Sequence, residues 1–442
     1  MTHIDLQCAA AAAKQSSRQL AVLGAEAKHR ILQNVAAGIE GSAEAIFEAN
    51  RQDVIAARNQ SSQNGISSSA LARMTLSEEK LLQMARSVNV VSGLEDPVGK
   101  ILLQSELDDG LKLTKISCPF GVILAVVEAR PDAVVQLSAL AFMSGNALMI
   151  KAGAEIARTT EVLLGVFESA YERAGISADA LVNVKSREEL HELLKLDHCI
   201  DLVVPRGSSE LVRFISSNTR IPVLGHADGV CHIYVDAAAD LNLATSVILD
   251  SKIQAPATCN AVETVLTDRR IASGFVPKLV KLLQLGGVKV RGCKKTRTIY
   301  RDGVDLVNDD EWHTEYGSLT IALRVVESCD EAITHVNHFG SHHTDSIVTE
   351  DQHAAAKFLR EVDSAGVFHN VSTRFSDGYR YGFGAEVGIA TGKLHARGPV
   401  GLEGLVTYKY TLVGKGQCVS QYIGPRARKF KHELSASEVA AG

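Results

Sequence analysis

The 442-residue sequence holds no CxxC pair, no GxGxxG fingerprint, no internal repeat and no excess of basic charge. Its eight cysteines, at 8, 118, 199, 231, 259, 293, 329 and 418, are scattered. Without paired spacing, neither a structural zinc site nor a thioredoxin-like redox motif is expected. A disulfide framework is not expected in a chain long enough to build an ample core, so the thiols read as reduced, in a cytoplasmic compartment. The longest apolar runs, such as residues 121–127, fall short of the ~20 residues that span a bilayer. Residues 1–14 carry an alanine run but no basic stretch followed by an apolar core, so no secretory signal is expected. The net charge of -5 removes any general attraction to nucleic acid or anionic membranes. A local basic pocket for phosphate stays open.

What is present is an ordinary globular balance, 46% hydrophobic and 22% charged. The chain is too long for one core, which implies two or three domains. Roughly the first 95 residues read as helices, with Ile31, Val35, Ile39 and Ile46 at helical spacing. Residues 61–69 read as a polar loop, and Thr75 with Glu78 as a capping box. Residues 101–116 read as a β-hairpin around Asp109-Gly110. A buried-strand pattern then alternates with helices: strands at 121–127, 147–150, 181–184 and 199–204. That alternation argues for an open α/β sheet with ligand at the carboxyl ends of its strands. After Gly225 it begins again, with strands at 232–235, 261–266, 288–291 and 319–326. The tail, 435–442, is expected to fray.

A covalent acyl-transfer site needs an accessible, supported thiol. Cys199 and Cys231 sit in apolar runs and read as core. Cys293 lies in a Lys/Arg-rich turn. Cys259 lies in Gln254-Ala-Pro-Ala-Thr-Cys-Asn260, a loop of small residues between a helix and a strand. Small neighbours leave room for substrate and free backbone N–H groups for an oxyanion. Local features alone leave a catalytic thiol and a half-buried loop thiol both open.

A set of blocks goes further: Pro119-Phe-Gly-Val122, Glu128-Ala-Arg-Pro131, Ser144-Gly-Asn146, Pro205-Arg-Gly-Ser208, Pro222–Gly229, Ala257–Thr264, Gly340-Ser-His-His-Thr-Asp-Ser-Ile347, Asn370–Gly378 and His395–Pro399. Together they resemble the γ-glutamyl phosphate reductase family of the aldehyde dehydrogenase superfamily. The resemblance implies an α/β, aldehyde dehydrogenase-like fold in three parts. These are a Rossmann-like cofactor domain (1–98 and 118–228), an α/β catalytic domain (229–386) and a small β oligomerisation flap (99–117 and 387–425). It implies NADPH-dependent reduction of L-glutamyl 5-phosphate to L-glutamate 5-semialdehyde through a Cys259 thioester, in proline biosynthesis. It further implies a stand-alone reductase, a homo-oligomer (dimer or tetramer), and a glutamate 5-kinase as candidate partner.

Residue by residue, the resemblance makes Cys259 the nucleophile. Hydrolytic relatives carry a glutamate base ahead of the Leu224-Gly225 pair. Here Val223 stands there, and valine cannot take a proton from water. An oxyanion-holding asparagine expected two residues before Pro131 is Ala129, which leaves the Cys259 N–H and Asn260 as the oxyanion donors. Lys151 matches the lysine against the adenosine ribose. A glutamate that favours NAD is replaced by Ala154, which favours NADPH over NAD, with Glu155 adjacent. Gly207 and Ser208 open a helix toward the pyrophosphate, and Glu315 matches the group that holds the nicotinamide ribose. For substrate, Ser372, Thr373 and Arg374 are placed at the α-carboxylate, Glu128 at the α-ammonium, and Arg130 or His226 at the phosphate. The run His342, His343, Asp345 has metal-ligand residue types but reads as shaping a turn, and no metal is expected. The alternatives are a hydrolytic NAD-dependent aldehyde dehydrogenase and a non-catalytic member of the fold.

Overall fold

The computed structural model describes residues 6–64 and 68–434. Within those limits the chain forms two compact units. The first spans Met1–Val223, Gly384–Val387 and Gly401–Gly442, and the second spans Leu224–Phe383 and Gly388–Val400. Residues 388–400, grouped with the flap on sequence, therefore belong to the second unit.

The first unit opens with α1 (Leu6–Leu20), α2 (Ala25–Gly41), α3 (Ala43–Asn64), α4 (Ser68–Met74) and α5 (Glu78–Ser92). Ile31, Val35, Ile39 and Ile46 are buried, as their spacing predicts. The loop expected at 61–69 is shorter: α3 runs to Asn64 and α4 begins at Ser68, and the residues between lie outside the described ones. So does the tail at 435–442. The cap of α5 is Ser77, whose hydroxyl accepts from the Lys80 N–H at 3.2 Å, not Thr75. Thr75 follows the last turn of α4 and spends its hydroxyl on the Leu71 carbonyl, one turn back.

The hairpin forms as expected, β1 (Ile101–Asp108) against β2 (Leu111–Pro119), with Asp108 paired to Leu111 across Asp109-Gly110. Then follow β3 (Val122–Val127), α6 (Pro131–Met143), β4 (Ala147–Ala152), α7 (Ala157–Arg173), β5 (Leu181–Val184), α8 (Arg187–Leu193), β6 (Leu202–Arg206) and α9 (Ser209–Asn218). The strand expected at 199–204 starts three residues late because 199–201 turn into it. Every side chain of β3 and β4 is buried. Each Val, Leu or Ile so placed contributes about 1.5–3 kcal/mol, which explains the unbroken apolar runs. The sheet is parallel, in the order β5-β4-β3-β6. The direction of winding reverses between β3 and β6, and the carboxyl ends of those two strands flank the crevice that such sheets use for ligands.

The second unit contains β7 (Cys231–Val235), α10 (Leu241–Ile253), β8 (Val262–Asp268), α11 (Arg269–Leu285), β9 (Lys289–Gly292), α12 (Lys294–Ile299), β10 (Val304–Leu306), β11 (Thr320–Val326), α13 (Cys329–Phe339), β12 (Thr344–Val348), α14 (Gln352–Glu361), β13 (Gly366–His369), β14 (Gly388–Ala390) and β15 (Gly398–Val400). Its parallel sheet has the order β10-β9-β11-β8-β7-β12-β13. One face packs on a cluster that includes Ile248, Phe275, Leu279 and Leu283. The other packs on a cluster that includes Tyr234, Val336 and Phe358. Back in the first unit, β16 (Val406–Val413) and β17 (Glu433–Leu434) complete the antiparallel sheet β16-β2-β1-β17. Among the described residues no helix is long and apolar enough to cross a membrane.

Candidate active site

In the second unit the loops of interest lie at the amino ends of the parallel strands. Gly229 precedes β7, Cys259 precedes β8, Glu315–Gly317 precede β11, and His343 immediately precedes β12. Four neighbouring strands thus hand their entry loops to one place, and each loop is held by the strand that follows it.

Cys259 is partly exposed. Its Sγ lies 3.2 Å from Nε2 of His343, a fully buried side chain. The other ring nitrogen, Nδ1, is 2.9 Å from Thr344 Oγ1. A proton on Nδ1 given to that hydroxyl leaves the Nε2 lone pair facing the sulfur, the geometry of a thiol and its base. The run read as a turn thus divides its labour. His342 does make the turn, at φ +58, and sets its Nδ1 2.6 Å from the Asp363 carbonyl. His343 reaches the thiol. Asp345 is buried against His232, accepting from its backbone N–H at 2.7 Å and lying 2.9 Å from its Nδ1. The signal for His343 was present in the two adjacent histidines, but its partner lies 84 residues away.

His226 joins this group. Its Nδ1 is 2.7 Å from the Ile389 carbonyl, and its ring centre is 5.0 Å from that of His343. Cys231, by contrast, is core, as expected. It is fully buried and donates to the Cys259 carbonyl at 3.2 Å, and burial pushes its thiol well up.

The loop that carries Cys259 is braced from below. Thr373 Oγ1 donates to the Asn260 carbonyl at 2.7 Å, and Ser251 Oγ lies 2.9 Å from Ser372 Oγ. Arg374 donates to Gln254 Oε1 at 2.8 Å and to Thr258 Oγ1 at 2.7 Å. All three of Ser372, Thr373 and Arg374 are buried, so the segment expected to anchor substrate also braces the loop that carries Cys259. Asn260 is likewise buried, and its amide donates to the Ser376 carbonyl at 2.8 Å. That bond engages the amide expected at the oxyanion. The backbone N–H groups of Cys259 and Asn260 make no backbone hydrogen bond among the described residues.

Glu315 Oε2 accepts the Gly229 N–H at 2.8 Å. Gly229 must be glycine, since a Cβ there would stand 2.2 Å from the Cys259 carbonyl oxygen. Deeper, Lys252 and Glu263 form a fully buried ion pair at 2.7 Å, and Glu263 Oε1 accepts the Gly317 N–H at 3.3 Å. Burial raises the Glu263 carboxyl to about 7.

In the first unit the predicted cofactor residues gather at the carboxyl ends of β3, β4 and β6. Glu128 Oε2 accepts the Ser208 N–H at 2.7 Å, at the start of α9. The space where a Gly207 side chain would stand is filled by the same carboxylate, 2.3 Å from an ideal Cβ. Glu128 therefore sits against a helix N-terminus, a position that favours an anion. Lys151, at the end of β4, is buried; burial lowers its pKa, and its Nζ donates to the Ala152 carbonyl. Glu155 folds back to accept the Ala129 N–H at 2.7 Å, with Ala129 in the left-handed region at φ +46. Arg130 donates to Asp132 at 2.8 Å and lines a cavity of about 400 Å³ with Arg73, Lys80, Gln83 and Gln136.

Residues 1–290 match the model of the aldehyde dehydrogenase family. The chain is similar to the γ-glutamyl phosphate reductase of Acaryochloris marina, 49% identical over 95% of this chain and 96% of the relative. It is also similar to that of Cyanothece sp., 47% identical over 98% of both chains. Among solved structures, the crystal structure of the γ-glutamyl phosphate reductase of Thermotoga maritima superposes with a TM-score of 0.90. It is 36% identical and covers 94% of this chain and 99% of that one.

Proposed function

The chain belongs to the aldehyde dehydrogenase family and, within it, to the γ-glutamyl phosphate reductases, and from that premise we propose that it reduces L-glutamyl 5-phosphate to L-glutamate 5-semialdehyde and phosphate in proline biosynthesis. The observation that carries this reading is the 3.2 Å contact of Cys259 Sγ with His343 Nε2. His343 takes the thiol proton, the sulfur attacks the acyl carbon, and the acyl–oxygen bond breaks to release phosphate, leaving a thioester on Cys259. NADPH bound to the first unit's residues would supply the hydride that reduces this thioester. The resulting thiohemiacetal oxyanion rests on the Cys259 and Asn260 backbone N–H groups. Its collapse releases the aldehyde, and the thiolate recovers its proton from His343. Val223 bears no proton-accepting atom where hydrolytic relatives hold a glutamate, so the thioester is spared hydrolysis.

The residues suit a nicotinamide cofactor in their chemistry. Gly207 and Ser208 lead into α9, whose N-terminus favours an anion, and Lys151 is a cation with no acid at position 154. Glu155, the acid that would oppose a 2′-phosphate, is turned onto the Ala129 N–H, which supports NADPH over NAD. Lys151, Gly207 and Ser208 are assigned to the adenosine and pyrophosphate end, and Glu315 to the nicotinamide ribose. Either Arg130 or His226 is assigned to the substrate phosphate, Ser372, Thr373 and Arg374 to the α-carboxylate, and Glu128 to the α-ammonium. Binding of the adenosine and pyrophosphate end is assigned to the first unit and acyl transfer to the second. A labile acyl phosphate makes a glutamate 5-kinase the natural supplier. The exposed Tyr408, Tyr410, Leu412 and Val413 of edge strand β16 make the flap sheet the candidate oligomerisation surface. The eight free thiols suit the cytoplasm.

The test is the reverse reaction, NADP⁺ reduction by the semialdehyde. It should require phosphate and vanish in Cys259→Ala. Turnover without phosphate, or unchanged turnover in the variant, overturns the reading.

A further inference from the structure

We propose that Cys259, His343 and His226 also form a binding site for one thiophilic divalent cation, best matched by Zn²⁺, and that the bound ion silences the enzyme. One sulfur and two imidazole nitrogens, one donor from each residue, lie within 4.8 Å of one another. The closest pair, Cys259 Sγ and His343 Nε2, is 3.2 Å apart. Zinc bonds of ~2.3 Å to sulfur and ~2.0–2.1 Å to nitrogen put tetrahedral neighbours roughly 3.3–3.6 Å apart. That pair is therefore already at coordination spacing, and the third donor has at most about 1.5 Å to travel.

The surrounding bonds point the same way. A carbonyl oxygen only accepts, so the contact of His226 Nδ1 with the Ile389 carbonyl puts the proton on Nδ1 and leaves Nε2 as the lone-pair nitrogen. The Thr344 hydroxyl can do the same for His343. Outer partners of this kind fix the tautomer of metal-binding histidines. A thiolate and two imidazoles form a soft set that favours zinc and disfavours Mg²⁺ and Ca²⁺, which take oxygen ligands. Three protein donors leave the fourth position to solvent or an oxyanion. A metal in this place occupies both the sulfur electron pair needed for attack and the nitrogen that takes its proton. The silencing rests on the reading of Cys259 as nucleophile; the binding does not.

Co²⁺ titrated into the metal-free full chain is the probe. One equivalent should develop a thiolate-to-cobalt charge-transfer band with visible ligand-field bands of a four-coordinate ion. Zn²⁺ should displace it and abolish turnover, reversibly with chelator. Cys259→Ser should remove the charge-transfer band, and His226→Ala, which deletes a ligand, should weaken Zn²⁺ by at least the roughly tenfold to hundredfold that loss of an outer partner costs. Without any variant, Zn²⁺ should protect Cys259 of the native chain from iodoacetamide, read by mass spectrometry. Absence of the band, its survival in Cys259→Ser, no protection, or an affinity within about twofold in His226→Ala overturns the proposal. An acyl adduct trapped on Cys259 stands or falls separately from all of these.

Discussion

Replacing Gly229 with alanine should move the nucleophile while leaving every catalytic side chain in the protein. An added Cβ would stand 2.2 Å from the Cys259 carbonyl oxygen, 2.5 Å from its Cα and 2.6 Å from its Cβ. These are backbone atoms and the first side-chain carbon, so no change of rotamer relieves the clash. Restoring ordinary carbon contacts of ~3.5 Å requires roughly 1 Å of displacement. The loop cannot yield freely, because Thr373 holds Asn260 and Arg374 holds Thr258 and Gln254. A reacting group misplaced by about 1 Å can lose on the order of 10²-fold in rate, or ~2.7 kcal/mol of barrier. Overpacking of this kind costs ~1–3 kcal/mol of stability, which leaves the chain folded. The assay pairs kcat of the phosphate-dependent reverse reaction with the thermal midpoint and the rate of Cys259 alkylation. Expected is a kcat down about a hundredfold with a midpoint lower by only roughly 2–12 °C. A kcat within about threefold of the parent would refute the reasoning, since Cys259 would then tolerate displacement.

Three further outcomes follow from the same geometry. His343→Gln removes the base and should cost about 10²–10⁴-fold in kcat/KM and slow alkylation of Cys259 by iodoacetamide; a kcat/KM within about threefold of the parent would refute the role of base. Lys252→Ala strips the buried Glu263 carboxylate of its partner and should cost about 3–5 kcal/mol, read from urea midpoints; the Lys252→Ala/Glu263→Ala double variant should regain part of it. His335 is buried, and its pKa is pushed down to about 2. Its folded value thus lies below the ~6.5 of an unfolded histidine. The stability it contributes is present above ~6.5 and is lost as pH falls, by up to ~1.4 kcal/mol per pH unit. His335→Leu should therefore shrink the difference in unfolding free energy between pH 7 and pH 5 by about 2 kcal/mol, and identical slopes in parent and variant would refute it.

The elements were largely legible before any coordinates. β3 and β4 are buried on both faces, which calls for continuous apolar runs, and residues 122–127 and 147–150 supply them directly. The hairpin was equally plain, because Asp109-Gly110 satisfies a two-residue turn that few other pairs can. Boundaries failed where polar side chains had local choices. Ser77 and not Thr75 caps α5, since the Thr75 hydroxyl already has the Leu71 carbonyl within reach. Cys259 was singled out by its loop of small residues and by resemblance. The roles around it were less visible. Asn260, Ser372 and Thr373 looked like ligand groups, and the Asn260 amide N–H and the two hydroxyls are engaged by the Ser376 carbonyl, Ser251 and the Asn260 carbonyl, while Asn260 Oδ1 is buried without a partner among the described residues.

Local chemistry along the chain thus specified strands and helices and drew attention to Cys259, because periodicity, turn residues and a motif are all short-range properties. Which groups stand around Cys259 was decided by packing. His343 meets Cys259 across 84 residues and Ser208 meets Glu128 across 80, and neither pairing exists until parallel strands bring separate loops to one edge of a sheet. No spacing rule spans such distances, because the intervening chain is used up in helices whose only constraint is to cover the sheet.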